Sequence, residues 1–299
     1  MIKYLYVVLL FYFPKNPTIR IHCNIVWLFS KMKKISIHTN QNNSEQETKH
    51  VKNVNIKDFW HHYRDAESNG TIGVRGYFNY FMDVTTEYMY YLGKGNDTLP
   101  DTHKSAWLYT KYKLKIHKNV EFKKPLHIET WLSMEKQLRI NQDMEIFYDG
   151  NICCEGRMEA CVFNIETQSI SNLDSIGMPM DLQVDRKANI SAFSRPNKKI
   201  DDMTAVYDYH VRYTNIDKSR HMSNVQYIPF FMDALTPDFY AENFITDAEI
   251  HFINQAFYGD ELKILKRENA DSVELTAVRD GSTIVAWFKL DFIPKEQTR

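Results

Sequence analysis

Two stretches, YRDAESNGTIGVRGYFNYFMD (residues 63–83) and YTNIDKSRHMSNVQYIPFFMD (residues 213–233), decide how this chain is built. Laid over one another they pair Tyr63 with Tyr213, Tyr77 with Tyr227, Phe81 with Phe231, Met82 with Met232 and Asp83 with Asp233, and acidic Glu67 faces acidic Asp217. A fixed register between two such segments marks a duplicated unit. In the first copy Val74, Tyr77, Phe78, Phe81, Met82, Thr85, Tyr88, Met89 and Leu92 recur at three- and four-residue steps, the stripe of a long, buried helix. Met222, Val225, Ile228, Phe231, Met232 and Leu235 do likewise in the second copy. Pro229 sits inside that stripe and removes a helical hydrogen bond, which predicts a kink or a shortened helix.

Beyond each helix the period changes to two. Leu108, Thr110, Tyr112, Leu114 and Ile116 alternate with Lys111, Lys113 and Lys115; Ile284, Ala286, Phe288 and Leu290 alternate with Val285, Trp287 and Lys289. These read as strands with one face inward. HIETWL at 127–132 is a further strand, and Asp149-Gly150 and Asp280-Gly281 mark two-residue hairpin turns. One unit is therefore a long helix followed by an antiparallel meander, and a sheet wrapped round the helix buries both apolar surfaces. The expected class is α+β. Residues 1–53 form an N-terminal extension, 54–168 a first domain, 169–203 a linker with Pro179 and Pro196, and 204–299 a second domain.

The 299 residues carry 37 Lys+Arg against 38 Asp+Glu, which leaves no global field to draw in nucleic acid or an anionic membrane. Ten Gly and nine Pro are too few for a collagen-like or disordered chain. Cys23, Cys153, Cys154 and Cys161 show neither zinc spacing nor a disulfide framework; a reducing, cytoplasmic setting fits them, and the adjacent pair reads as buried strand thiols. The apolar run at residues 4–13 is shorter than the roughly 20 residues a spanning helix needs. It is read as sequence upstream of a working start near Met32-Lys33-Lys34, with a signal-peptide core as the alternative. The polar residues 35–52 read as a flexible lead-in.

At the entrance of the second helix stands Asp217-Lys218-Ser219-Arg220-His221-Met222-Ser223-Asn224-Val225-Gln226-Tyr227-Ile228. This resembles the D-x-N-x-H-x-N-N-x-x-Y-I signature of the acyl-acyl carrier protein thioesterases of bacteria and plant plastids. Asp217, His221, Asn224 and Tyr227-Ile228 match it; Ser219 and Ser223 stand where the family has Asn. The family's later Glu, followed by Cys in plant members, falls at Gln255 and Ala256. Trp107, Thr130-Trp131 and Phe163-Asn164-Ile165 agree further, and the similarity covers about residues 54–293. The resemblance implies two tandem hot-dog domains, the first housing the acyl chain and the second carrying the chemistry. It also implies acylated carrier protein as partner, and neither metal nor organic cofactor.

Hydrolysis of a thioester needs a base for water or an attacking carboxylate, and donors for the oxyanion. The thiolate leaves without a strong acid because its thiol is already fairly acidic. No GxSxG elbow or Cys-His signature offers another nucleophile. His221 is the natural proton acceptor. Asp217 would orient the imidazole or attack directly, since Asp217, Ser219 and His221 share one face if extended; a turn or N-cap role is its plain alternative. Ser219 and Gln255 stand as polar site residues or ordinary substitutions. Backbone N–H groups around Ser223 and Asn224 could receive the oxyanion. The first copy has Thr71 where His221 stands and Gly70 where Arg220 stands, so it lacks the chemistry. Its Tyr77, Phe81, Met82 and Met89 could line an acyl tunnel, or be plain core.

An acidic carrier protein requires local basic residues. The candidates are Lys111, Lys113, Lys115, Lys118, Lys123 and Lys124, with Arg195, Lys198 and Lys199 in the linker. The first three read more simply as the solvated face of a strand. The expected activity is release of fatty acid from acyl carrier protein by a monomer or homodimer, without nucleic acid or membrane. The alternatives are acyl-coenzyme A hydrolysis and non-catalytic acyl or carrier binding.

Overall fold

The apolar stripe of the first copy lies on α1 (Val74–Tyr91), an 18-residue helix burying Tyr77, Phe78, Phe81, Met82, Thr85, Tyr88 and Met89. The computed structural model describes residues 49–51, 53–136 and 138–295. The apolar run at 4–13, the start near Met32 and the polar lead-in up to residue 48 lie outside them. A single turn, α2 (Leu99–His103), leads out of the first helix region. The second copy's helix, α3 (Asn224–Met232), has nine residues with Pro229 inside. The helix continues past Pro229 to Met232, and the chain leaves it before Thr236-Pro237, where Thr236 is held extended at ψ 158° as the residue before a proline. The short α4 (Pro237–Glu242) follows, its first turn closed by Thr236 Oγ1, which accepts from Phe239 N–H.

Around the helices run β1 (Lys49–Val51), β2 (Val54–Phe59), β3 (Thr71–Ile72), β4 (Ser105–Ile116), β5 (Val120–Glu121), β6 (Leu126–Lys136) and β7 (Arg139–Tyr148). Then come β8 (Asn151–Asn164), β9 (Ser169–Ser171), β10 (Thr204–His210), β11 (Asn243–Phe252), β12 (Glu261–Glu268), β13 (Ser272–Arg279) and β14 (Thr283–Pro294). Asp149-Gly150 joins β7 to β8 and Asp280-Gly281 joins β13 to β14, with φ of 54° and 75° in the first turn and 53° and 73° in the second. Both central residues at positive φ is the turn that suits the twist of a tight hairpin.

The main sheet runs β1-β2-β6-β7-β8-β4-β11-β14-β13-β12-β10, with β9 beside β8 and β3-β5 apart. From either end the order is the same. The strand before each helix (β2, β10) lies towards the edge, the meander follows, and the strand after each helix (β4, β11) lies at the middle. There β4 and β11 pair antiparallel, Tyr112 opposite Ile250. The chain is α+β, with each half of one antiparallel sheet curled round its own helix. A unit starting at the helix was thus one strand short.

The alternation in β4 also needs correcting. A bulge between Tyr109 and Lys111 shifts its register. A one-residue slip exchanges the two faces. Buried Trp107 pairs with buried Val162, and Tyr109 packs its ring 6.2 Å from that of Tyr112. The expected Leu108 and Thr110 do not take those inward positions; Thr110 Oγ1 donates instead to Glu159.

The lysine face of β4 is largely covered, with Lys113 buried and Lys111 and Lys115 half-buried. The segment beyond Gln183 lies across the outer face of the sheet as a strap. Trp131 Nε1 donates to Arg186 O at 2.7 Å, with the Arg186 guanidinium 4.0 Å above the Trp131 ring and paired to Glu129 and Glu145. Ala188 N–H donates to Asp143 at 3.0 Å, Asn189 N–H to Glu155 at 2.6 Å and Ser194 N–H to Glu249 at 2.7 Å. Lys113 is 6% exposed, 3.0 Å from Glu249 and bonded to Ala192 O. Lys111 pairs with Glu159 and lies over the Phe193 ring, and Lys115 donates to Asn189 O. Carboxylates on the sheet thus hold backbone donors of an extended strand-like segment that forms no ladder of its own. Cys153, Cys154 and Cys161 are buried free thiols, and burial pushes the Cys153 thiol up to about 11.

Candidate active site

The entrance to α3 is built from a 3-10 turn, a tight loop and a cap. The turn Tyr213–Asn215 buries Asn215, whose Oδ1 accepts from Arg212 N–H at 2.7 Å. The chain then folds back. Asp217 N–H donates to His221 O at 3.1 Å, Arg220 N–H to Asp217 O at 3.0 Å, and Ile216 bridges Met222. Residues 217–221 are therefore a turn, so Asp217, Ser219 and His221 do not share the face of an extended strand. Asp217 Oδ1 accepts from Ser219 N–H at 2.7 Å, closing the turn from inside. Among the described residues no hydrogen bond joins the side chains of Asp217 and His221. Asp217 and Ser219 are exposed, and His221 is half-buried.

His221 Nδ1 lies 3.3 Å from Met222 O. A carbonyl can only accept, so Nδ1 is the donor in this contact, and in a neutral imidazole so bonded Nε2 is the acceptor. Met222 N–H donates to Ala256 O at 2.7 Å, which pins the loop after β11 to the same entrance. On the other side Ala256 N–H faces the Tyr227 hydroxyl, whose pKa burial raises well above the usual phenol value despite that bond. Gln255 is exposed, and its carbonyl accepts from Arg279 Nη1 at 3.0 Å; Arg279 also pairs with Asp260 at 2.7 Å. The signature Tyr227 thus holds the backbone of Ala256. Arg279 clamps the same loop from outside and carried no sequence signal at all.

The Ser223 N–H is already engaged, donating to Asn215 O at 2.8 Å, so it is not free for an oxyanion. Ser223 is the N-cap of α3 without a side-chain cap bond. Asn224 and Val225 then open the helix, where N–H groups lack intrahelical acceptors. A surface hollow of about 800 Å³ lies beside the 255–260 loop, lined by Asp208, Asp260, Lys263 and Arg279 but not by Asp217 or His221. Among the described residues no group of three or more His, Cys, Asp or Glu could hold a metal ion.

Of the expected acyl-binding residues, Tyr77, Phe81, Met82 and Met89 are all buried on α1. The Tyr77 hydroxyl donates to Lys118 O at 2.6 Å, and Phe81 packs edge-on to Tyr112 at 5.4 Å. No described helix is long and apolar enough to cross a membrane.

The sequence matches the family described as acyl-ACP thioesterase N-terminal domain over residues 52–176, and its C-terminal domain over residues 198–285. A comparison with curated proteins gave no match. Among solved structures, an acyl-ACP thioesterase of Bacteroides thetaiotaomicron is similar at TM-score 0.73 and 18% identity, over 81% of this chain and 98% of that one. A 12:0-ACP thioesterase of Umbellularia californica is similar at TM-score 0.72 and 13% identity, over 83% and 100%. At such identities the structures speak for the hot-dog fold, and the two domain matches speak for the family. The chain belongs to the acyl-ACP thioesterases, hydrolases that release fatty acid from acyl-acyl carrier protein.

Proposed function

We propose that His221 is the general base of this hydrolysis and that water, not Asp217, attacks the thioester carbonyl. Nε2 takes the proton of the attacking water, the carbonyl oxygen becomes an oxyanion beside Asn224 and Val225 N–H, and the thiolate departs and is protonated. The observation carrying this is the Nδ1 contact with Met222 O at 3.3 Å, which favours the tautomer a base requires. Asp217 shapes the turn that presents the imidazole, its carboxylate being spent on Ser219 N–H. Gln255 lies next to Ala256 and would hold water by its amide. Replacing a general base costs about 10²–10⁴-fold in rate. His221→Ala is therefore expected to lose thiol release on that scale with an unchanged thermal midpoint; retained turnover overturns the assignment. Gln255→Glu should raise the rate if that side chain reaches the reacting centre. No change in either Gln255→Glu or Gln255→Leu removes it.

For carrier protein over coenzyme A the support is electrostatic. Arg212, Lys218 and Arg220 are exposed on the loop that presents His221, while the corresponding residues of the first copy are His62, Ser68 and Gly70. A cationic rim at the mouth favours an acidic carrier and a salt-sensitive association. The three buried free thiols support a reducing cytoplasm as the place of work. The two halves would divide the task, the first holding the acyl chain and the second cleaving it.

A further inference from the structure

The core of the first half holds polar groups that its fold does not satisfy. Asn55 on β2 is 1% exposed, yet neither its Nδ2 nor its Oδ1 has a partner. Gln142 on β7 is fully buried. Its Nε2 donates to Thr130 Oγ1 at 2.9 Å, and its Oε1 has no partner. Thr130 Oγ1 in turn donates to Asp143 O. The three form one row, because Asn55 lies opposite Thr130 across β2 and β6, and Gln142 bonds diagonally to Thr130.

That row faces α1. Thr130 lies opposite Met144 and Met144 opposite Gly156. A Cβ on Gly156 would stand 2.7 Å from the Phe81 ring of α1 and 3.0 Å from Met144 Cε. Thr85, buried on α1, adds a further unpartnered hydroxyl. In the second half the buried side chains of β12 and β13 are mostly apolar, among them Leu262, Ile264, Val273, Leu275 and Ala277, and Thr276 Oγ1 and Arg267 Nε are the buried side-chain atoms of those strands without a partner. Native interiors leave few buried polar groups unpaired, and each one calls for an explanation.

A seam of rings leads from the α3 entrance to this row. Tyr227, in the first turn of α3, stands 5.4 Å from Phe252; Phe252 is 6.4 Å from Tyr112 and Tyr112 5.4 Å from Phe81. Phe81 rests on Gly156 and Met144 beside the polar row. From β11 to β6 is four strand spacings, about 19 Å along the sheet, the reach of a long acyl chain. Met82, Met89, Met144 and Met158 along the way are side chains that repack readily.

Resting on the thioesterase reading, we propose that Asn55 and Gln142 bind a hydroxyl carried on the far part of the acyl chain, so that the substrate class is hydroxyacyl thioesters. A hydroxyl suits the pair chemically. Its proton goes to Gln142 Oε1 and its oxygen accepts from Asn55 Nδ2, whereas a carbonyl would leave Gln142 Oε1 unpaired.

The test compares kcat/KM for carrier-protein thioesters of equal length with and without a hydroxyl near the far end. At least a tenfold preference for the hydroxylated chain is expected, with Asn55→Leu and Gln142→Leu each erasing it. Because these are core substitutions, a second arm measures the thermal shift given by free hydroxy fatty acid against plain fatty acid. The hydroxy acid should give the larger shift in wild type, and Gln142→Leu should equalise the two. Equal kcat/KM for both chains, or equal thermal shifts, overturns the hydroxyl site while the hydrolase reading stands. No cleavage of any thioester, with the larger hydroxy-acid shift retained, fails the hydrolase reading and leaves the site supported.

Discussion

At residues 66–72 and 216–222 the chain makes one turn twice. Glu67 N–H donates to Thr71 O at 2.8 Å as Asp217 N–H does to His221 O at 3.1 Å, and Ala66 bridges Ile72 as Ile216 bridges Met222. Gly70 and Arg220 occupy the same left-handed position, at φ of 78° and 66°. The side chains then diverge. Glu67 is one carbon longer than Asp217, and its carboxylate lies against Gly73, where a Cβ would collide with it, and accepts from Val74 N–H at the start of α1. In the second copy Ser223 stands in place of Gly73, and the shorter Asp217 bonds within its own turn. One copy spends its acid on the helix start; the other leaves that start open beside an imidazole. The backbone is common property of the duplication, and the difference in chemistry resides in four side chains.

The largest effect should come from removing the residue that most separates the copies. His221→Ala is expected to cut thiol release by about 10²–10⁴-fold, whereas Thr71→Ala should leave it within about twofold; equal losses would mean that both loops catalyse. Next, Gly73→Ser places a side chain where the Glu67 carboxylate lies, and overpacking of this kind costs about 1–3 kcal/mol. Chemical denaturation should show that loss, and unchanged stability would mean the carboxylate is elsewhere. Smaller again is Arg220→Gly. A side chain in the left-handed region costs about 1 kcal/mol, so the variant should melt higher, yet its KM for carrier substrate should rise and lose salt sensitivity. A higher midpoint without a KM change would deny the loop its docking role.

The smallest effect concerns Glu67. Burial raises its carboxyl above the usual value of 4.5, against Arg75, Lys295 and Val74 N–H. The folded chain then binds that proton more tightly than the unfolded one, so the associated stability is present at low pH and is lost as pH rises through the raised value. Glu67→Gln should flatten urea-unfolding stability between pH 4.5 and neutrality; an unaltered slope would mean that Glu67 is not buried against α1.

The stripe of Val74, Tyr77, Phe81 and Tyr88, both Asp-Gly turns and the doubled architecture were legible because each is a local periodicity or a repeat. The second helix is shorter, as expected, but it passes through Pro229 and breaks before Thr236-Pro237. The lysines of β4 misled, since alternation records which residues share a face and not whether water or a later segment covers it. The strap that covers them is read only through bonds such as Asn189 to Glu155 and Ser194 to Glu249, far apart in sequence and made by backbone donors. Asp217 and His221 stand on one loop, but as a turn rather than an extended face, because a left-handed residue at 220 that composition does not reveal folds the chain back. Ser223 N–H looked available until Asn215 folded back to take it.

Pairing β4 with β11 inside a single polypeptide has a consequence for how the enzyme could change over generations. Two separately encoded protomers sharing such a ladder would exchange partners, and damage to one gene would mix sound and crippled pairs. Here each half meets its mate at a permanently high effective concentration, so every molecule keeps one copy of each half. On the proposed reading, the half with Thr71 where its twin has His221 need not cleave anything, and its interior could be reshaped for recognition alone.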